Sequence, residues 1–313
     1  MSKYNIYRIT FLAISLFVFS INSSSACDFC QLSQGISPLE TVRGSGVRIN
    51  ERYTLLNDIY NGTEKVDNPE GDKEEHLTTE ITGFYAINSD ITLMAVLPYK
   101  KNSTQGAESG SVSGLGDMAV LGRYTFYNAH TLDSTTTFAG LLGVKFATGK
   151  TDAKMDNGEF FDSHNQLGTG STDYLVGLSC SRSIQRLSLS ANLLGVIPTK
   201  GQFGDVSHQF GNMLNYDLTA KYRVHPALFE PTASQIFLAL GINGELRERE
   251  KENDVEVPNS GGNTTYLSPG VQVVMAPHWI FELSYQHAIY HNLYGDGQLG
   301  ETNRVSGGLT YLL

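Results

Sequence analysis

The chain has 313 residues, with 22 Lys and Arg against 32 Asp and Glu, so its formal net charge is −10 and only 17% of it is charged. The acidic balance excludes a nucleic-acid partner, which needs a basic face, and three cysteines exclude a disulfide-stapled scaffold. Beyond one apolar run at the start, nothing has the roughly 20 apolar residues of a helical membrane span, so a membrane protein of this composition must cross with strands.

At the amino terminus Lys3 and Arg8 precede the apolar run Ile9 to Ile21, and Asn22-Ser23-Ser24-Ser25-Ala26 follows. That order predicts a secretory signal peptide over residues 1–26, cleaved after Ala26. Cys27 leaves acylation as an alternative, although Ser24 stands where a lipoprotein signal carries Leu. Cys27-Asp28-Phe29-Cys30 has C-x-x-C spacing, and in an oxidising compartment a local Cys27–Cys30 disulfide is the plain reading. A redox or metal contact for a periplasmic partner stays open, but no His follows Cys30 for haem attachment and two thiols do not fill a zinc site. Residues 27–45 show no strand pattern and read as a periplasmic segment, a candidate plug.

From residue 46 onward apolar residues recur with period two. Leu214, Tyr216, Leu218, Ala220, Tyr222 and Val224 share one face of a strand, and Asn215, Asp217, Thr219, Lys221 and Arg223 share the other. Twelve strands are expected, near 46–60, 75–88, 91–101, 114–128, 132–149, 171–184, 186–199, 210–225, 234–249, 263–276, 278–290 and 302–313. Most exceed the five or six residues usual in soluble sheets and suit a tilted membrane crossing. Long polar connections at 61–74, 102–113, 150–170, 200–209, 250–262 and 291–301 alternate with tight turns at 88–90, 129–131, 185 and 277–278. The medium connection Pro226 to Ala233 departs from that rhythm. The fold class predicted is all-β, a transmembrane antiparallel up-and-down β-barrel over residues 46–313 in the outer membrane of a Gram-negative bacterium. Tyr53, Tyr60, Tyr99, Tyr124, Phe126, Tyr127, Tyr222, Trp279 and Tyr285 fall near strand ends, as interfacial girdles do. The carboxy-terminal Gly308, Tyr311 and Leu313 resemble an insertion signal for the barrel-assembly machinery.

Twelve tilted strands close at a diameter of roughly 24 Å. Parity turns Glu80, Asp117, Arg123, Lys145, Asp173, Asp217, Lys221, Arg223, Glu245, Arg247, Glu282 and Arg304 inward, a polar lumen of mixed sign. Asp117, Lys145 and Asp173, on neighbouring strands near the long-loop end, are read with Arg123 as an ion network at the mouth. Cys180 shares an outward face with Val176 and Leu178.

Around those three residues lie Gly114-Leu115-Gly116-Asp117, Gly143-Val144-Lys145-Phe146-Ala147-Thr148-Gly149-Lys150 and Leu167-Gly168-Thr169-Gly170-Ser171-Thr172-Asp173-Tyr174. These segments resemble the outer-membrane family named for the meta-pathway of phenol degradation, with Ala147 where the family usually shows Pro. The resemblance covers 114–184 well. It implies an outer-membrane channel that passes small aromatic or other hydrophobic compounds, with outer-membrane lipid and lipopolysaccharide as its surroundings. Acidic loop residues such as Asp67, Asp72, Asp152 and Asp162 could hold divalent cations there.

Two other functions are weighed. A membrane lipase needs Ser activated by His, and His164, Ser171, His287 and His291 form no such arrangement, so no enzyme is expected. A barrel scaffold that docks a periplasmic partner through Cys27 and Cys30 is the alternative. No cofactor is expected, because Gly114–Asp117 and Gly168–Gly170 lack a helix to present phosphate-binding N–H groups.

Overall fold

The computed structural model describes residues 45–106, 109–155, 157–158, 160–203, 206–228, 233–275 and 277–313. The signal peptide, Cys27, Cys30 and the 27–44 part of the plug segment lie outside the described residues. The strands are β1 (Gly46–Gly62), β2 (Glu64–Val66), β3 (Lys73–Ala86), β4 (Ile91–Gln105), β5 (Gly110–Leu115), β6 (Ala119–His130) and β7 (Ser134–Lys145). After a 3-10 turn at Ser163–Asn165 come β8 (Asp173–Ile184), β9 (Leu187–Pro198), β10 (Gly201–Phe203), β11 (Val206–Gln209), β12 (Met213–His225) and β13 (Gln235–Arg247). The chain ends with β14 (Lys251–Glu252), β15 (Val255–Glu256), β16 (Gly262–Met275) and β17 (Trp279–Leu312).

Antiparallel pairing runs β1, β3, β4, β6, β7, β8, β9, β12, β13, β16, β17, and β17 returns to β1, from Gly46 opposite Leu312 to Tyr60 opposite Gln298. The sheet is thereby closed. Hydrocarbon cannot solvate a free N–H or C=O, so closure is what lets strands stand in a bilayer. β17 counts twice: residues 279–293 pair with β16, residues 298–312 pair with β1, and Leu312 N donates to His278 O at 2.8 Å across the fold-back. The chain reverses at Gly295 and Gly297, whose φ of +79° and +76° favour glycine. Eleven strand segments thus supply twelve crossings. The loop expected over 291–301 is instead the end of a long hairpin.

The faces are those of a lipid-facing barrel. On β12, Leu214, Leu218, Tyr222 and Val224 are exposed while Asn215, Asp217, Thr219, Lys221 and Arg223 are buried. β17 repeats this with Trp279, Phe281, Leu283 and Tyr285 outside and Glu282, Ser284 and Gln286 inside. A water-soluble protein does the reverse. Trp279 and Tyr311 meet at a tilt with centroids 4.8 Å apart beside the closing seam, and Tyr127 meets Phe138 edge-on at 5.7 Å near a short turn, as interfacial aromatics do. Tyr60 is a correction to the girdle: it packs 4.2 Å from the ring of buried His291, on the inner side.

Two further differences have local causes. The single strand expected at 114–128 is broken at Gly116-Asp117-Met118, because β4 pairs with β6 up to Val96 and with β5 from Tyr99 onward. Pro98 has no N–H to offer the ladder, and Gly116 N donates to its carbonyl at 2.9 Å, leaving Asp117 free to turn toward a loop. The turn expected at 129–131 falls at 131–133, where the Thr131 hydroxyl caps Ser134 N at 3.0 Å. Above the wall, β10, β11, β14 and β15 form a separate four-stranded sheet from two of the long connections.

Candidate functional site

Near the long-loop end of the barrel the connection 146–172 folds onto Asp117. Asp117 Oδ1 accepts from Thr148 N at 3.1 Å and Gly149 N at 2.9 Å, and Oδ2 accepts from Thr169 N at 2.8 Å and Thr169 Oγ1 at 2.9 Å. One carboxylate therefore ties both ends of the connection together. The two ends touch backbone to backbone: a Cβ on Gly149 would stand 2.7 Å from Gly168 Cα, and one on Gly168 would stand 2.5 Å from Gly149 O. Close approach, and not an unusual φ, is why glycine is needed at both positions. Lys145 closes the arrangement from β7, with Nζ 3.4 Å from Asp117 Oδ2, 2.9 Å from Thr169 Oγ1, and ion-paired to Asp173. Ser171 Oγ donates to Asp173 Oδ1 at 2.6 Å.

Arg123 stands apart from these three. It lies four residues further along β6 than Ala119, the partner of Lys145, which is about 13 Å along a strand. There it donates to Thr125 Oγ1 at 2.9 Å.

The connection is braced from within and against the wall. Gln166, 2% exposed, accepts from Ala153 N at 3.0 Å and donates to Ala153 O at 3.1 Å and Phe161 O at 2.9 Å. Met155, Phe161 and Leu167 are buried beneath it. Asn102 of β4 donates to Asn165 O at 3.0 Å, and Asn165 donates to Glu74 of β3 at 3.0 Å. From the same turn His164 Nε2 reaches Glu250 Oε1 at 3.0 Å, and His208 Nε2 lies 3.2 Å from Glu250 Oε2. Glu250 follows β13, on the far side of the barrel order from β3, so the connection spans the mouth. Phe210 packs edge-on to His164 and His208, with centroids 5.6 and 4.6 Å away.

Burial alone would raise the Glu250 carboxyl, but the two imidazoles outweigh it and hold its pKa well below the usual carboxylate range. Burial likewise opposes charge on His164, and Glu250 overcomes that to raise the imidazole pKa above its ordinary value.

Beside the connection lies a cavity of about 490 Å³ in the outer half of the lumen, walled by β1, β3, β4, β13 and β17. Arg52, Lys100, Arg247 and Arg304 line it with Glu74, Glu245 and Glu301. Glu245 pairs with Arg247 at 3.2 Å and Arg304 at 3.6 Å, and Glu301 pairs with Arg304 and accepts from Tyr266 Oη at 2.8 Å. Below it, Glu282 pairs with Arg48 at 3.1 Å and accepts from Gln272 at 2.7 Å. Asp217 accepts from Thr219 and, at 3.3 Å, from Asn192. Lys221 is buried in the same band, and Arg223 donates to Gln235 at 3.4 Å. Gly308 makes room for this layer, since a Cβ there would meet Arg48 Nη2 at 2.8 Å. Tyr311 and Leu313 point outward. Cys180 lines an apolar groove on the outer face with Leu189, Ala191 and Leu218. Among the described residues no three His, Cys, Asp or Glu side chains gather to hold a metal ion, the acidic loop residues included.

Arg48, Lys100 and Glu301 were not singled out in the sequence, although even parity along β1 and β4 picks out Arg48 and Lys100. His164, His208 and Glu250 carried no signal, because they meet only through loop packing.

Over residues 58–292 the sequence matches the family described as "Putative MetA-pathway of phenol degradation". The chain belongs to that family. Among curated proteins no sequence matches it. In structure this family member resembles the COG4313 outer membrane channel from Pseudomonas putida F1, with a TM-score of 0.68 at 13% identity over 86% of this chain and 96% of that one. It also resembles the CymD monoaromatic hydrocarbon channel, with a TM-score of 0.39 at 9% identity over 86% of this chain and 88% of that one. The lipid-facing exterior and the closed antiparallel wall place it with outer-membrane barrels.

Proposed function

We propose that this barrel is a passive outer-membrane channel for small compounds, performing no covalent chemistry. The observation that carries this reading is the cavity of about 490 Å³ in the outer half of a closed, polar-lined barrel. That volume is in the range of small-molecule sites. Buried hydroxyls, amides and paired charges offer a permeating solute replacements for its hydration shell. The COG4313 protein it resembles is an outer membrane channel, which supports the same reading. Liposome swelling tests it: vesicles carrying the folded protein should swell in isosmotic small sugars and amino acids at a rate that falls with solute size. Rates equal to those of protein-free vesicles for every solute would contradict it.

A further inference from the structure

The charges around the cavity are unevenly used. Three of its carboxylates are engaged: Glu74 with His76 at 3.2 Å and Asn165 at 3.0 Å, Glu245 with two arginines, and Glu301 with Arg304 and Tyr266, while Asp162 and Asp296 lie at its rim. Among the cations, Arg247 and Arg304 are consumed by those same carboxylates. Lys100 is not. It lines the cavity from β4, yet among the described residues its ammonium makes no ion pair, and the neighbouring Asp117 is spent on Lys145 and the 146–172 connection. In the pairing register Lys100 stands opposite Thr78, and Thr78 stands opposite Arg52, so the three form one row across β4, β3 and β1. Arg52 and Lys100 are then about 10 Å apart across two strand spacings, with Thr78, 5% exposed, between them. Arg52 lies 3.9 Å from Glu80. Leu56, Leu293 and Leu299 line the same cavity and give it an apolar side.

A half-buried ammonium that makes no ion pair, beside an arginine and a hydroxyl in a site of small-molecule size, suits a small anion. Resting on the channel reading above, we infer that the row Arg52–Thr78–Lys100 binds a small organic carboxylate, its anionic group on Lys100 and Arg52 and its apolar body toward the leucines. The cargo this site selects is therefore a charged amphiphile and not a neutral hydrocarbon. Asp162 and Asp296 at the rim set a repulsive threshold that the anion crosses before reaching the row.

Single-channel current in planar bilayers tests the inference, with benzoate as probe and benzamide as its neutral isostere. Benzoate should interrupt the potassium chloride current at concentrations where benzamide does not. Lys100→Met should raise the half-blocking benzoate concentration by about tenfold, the scale of one lost charge-assisted contact, and Lys100→Arg should restore the block. A heat-dependent gel shift confirms that each variant is folded. Equal effects of benzoate and benzamide, or a block indifferent to Lys100→Met, would overturn the site while the current itself upholds the channel. Absence of any current would overturn the channel reading, and the site with it.

Discussion

Lys145, the last residue of β7, stands directly opposite Asp173, the first residue of β8, and its ammonium also lies 3.4 Å from Asp117. A lysine between two carboxylates that are 4% and 2% exposed fixes where the wall ends and the 146–172 connection begins.

Replacing that cation should be costly. Lys145→Met leaves two nearly buried carboxylates facing each other, a loss of about 3 kcal/mol in unfolding free energy. Urea titration of the protein in lipid vesicles should show it, and Lys145→Met with Asp173→Asn should recover part of the loss. Equal stability of Lys145→Met and the natural protein would contradict the arrangement.

The glycine contact makes a sharper steric claim. Gly168→Ala puts a methyl group 2.5 Å from Gly149 O, a backbone atom, and 2.7 Å from Asp117 Oδ1, which two backbone N–H groups hold in place. The connection should detach from Asp117, at a cost of about 2 kcal/mol or more. Protease cleavage between residues 150 and 167 should speed up in the variant while the barrel stays intact. Unchanged cleavage would exclude the contact.

The contact of His164 with Glu250 gives the mouth a pH dependence whose sign is fixed. His164 is raised, so its contribution is fully present below about 6.5, its ordinary value, and is lost as pH rises through its higher folded value. Glu250 is depressed, so its contribution is present above the ordinary carboxyl value of about 4.5 and fades only as pH falls through its lower folded value. The connection should be held most firmly between those two ordinary values and released toward alkaline pH. Hydrogen exchange of residues 160–168 at pH 5.5 and pH 8.5 measures it, and His164→Gln should flatten the difference. Faster exchange at the lower pH would contradict the sign.

At the other end of the lumen, Gly308→Val puts a side chain 2.8 Å from Arg48 Nη2 and 3.3 Å from Glu282 Oε2, so the buried pair must shift to make room. A loss of about 1–3 kcal/mol is expected. Because the outward face of the last strand is untouched, insertion into vesicles should proceed while the gel-shift melting temperature falls. A variant that melts like the natural protein would show that Gly308 serves only the insertion signal.

How much of this was readable from sequence follows from the period. Alternation fixes which face a residue takes, so parity alone picks out Asn215, Asp217, Thr219, Lys221 and Arg223 as inward, and antiparallel strands with short turns carry the order around the barrel. Strand rise then limits reach, and so Arg123 falls away from Lys145 although both face inward. Parity says nothing of loops: His164, His208 and Glu250 come from three different connections, and no local pattern announces their meeting. Nor does it foresee a strand broken opposite Pro98, where a missing N–H frees Asp117 from the ladder. Tyr60 misleads because a ring near a strand end resembles a girdle residue until its partner His291 is seen.

Transport through the lumen is tested most directly by current through a barrel whose interior can be chemically modified. Thr78→Cys, in a Cys180→Ser background, places a thiol in the cavity wall, and Ile81→Cys places one on the lipid face. A charged methanethiosulfonate reagent should lower the single-channel current of the Thr78→Cys protein and leave that of the Ile81→Cys protein unchanged. The same current before and after modification of Thr78→Cys, with the thiol shown by mass to have reacted, would mean that ions do not pass this way.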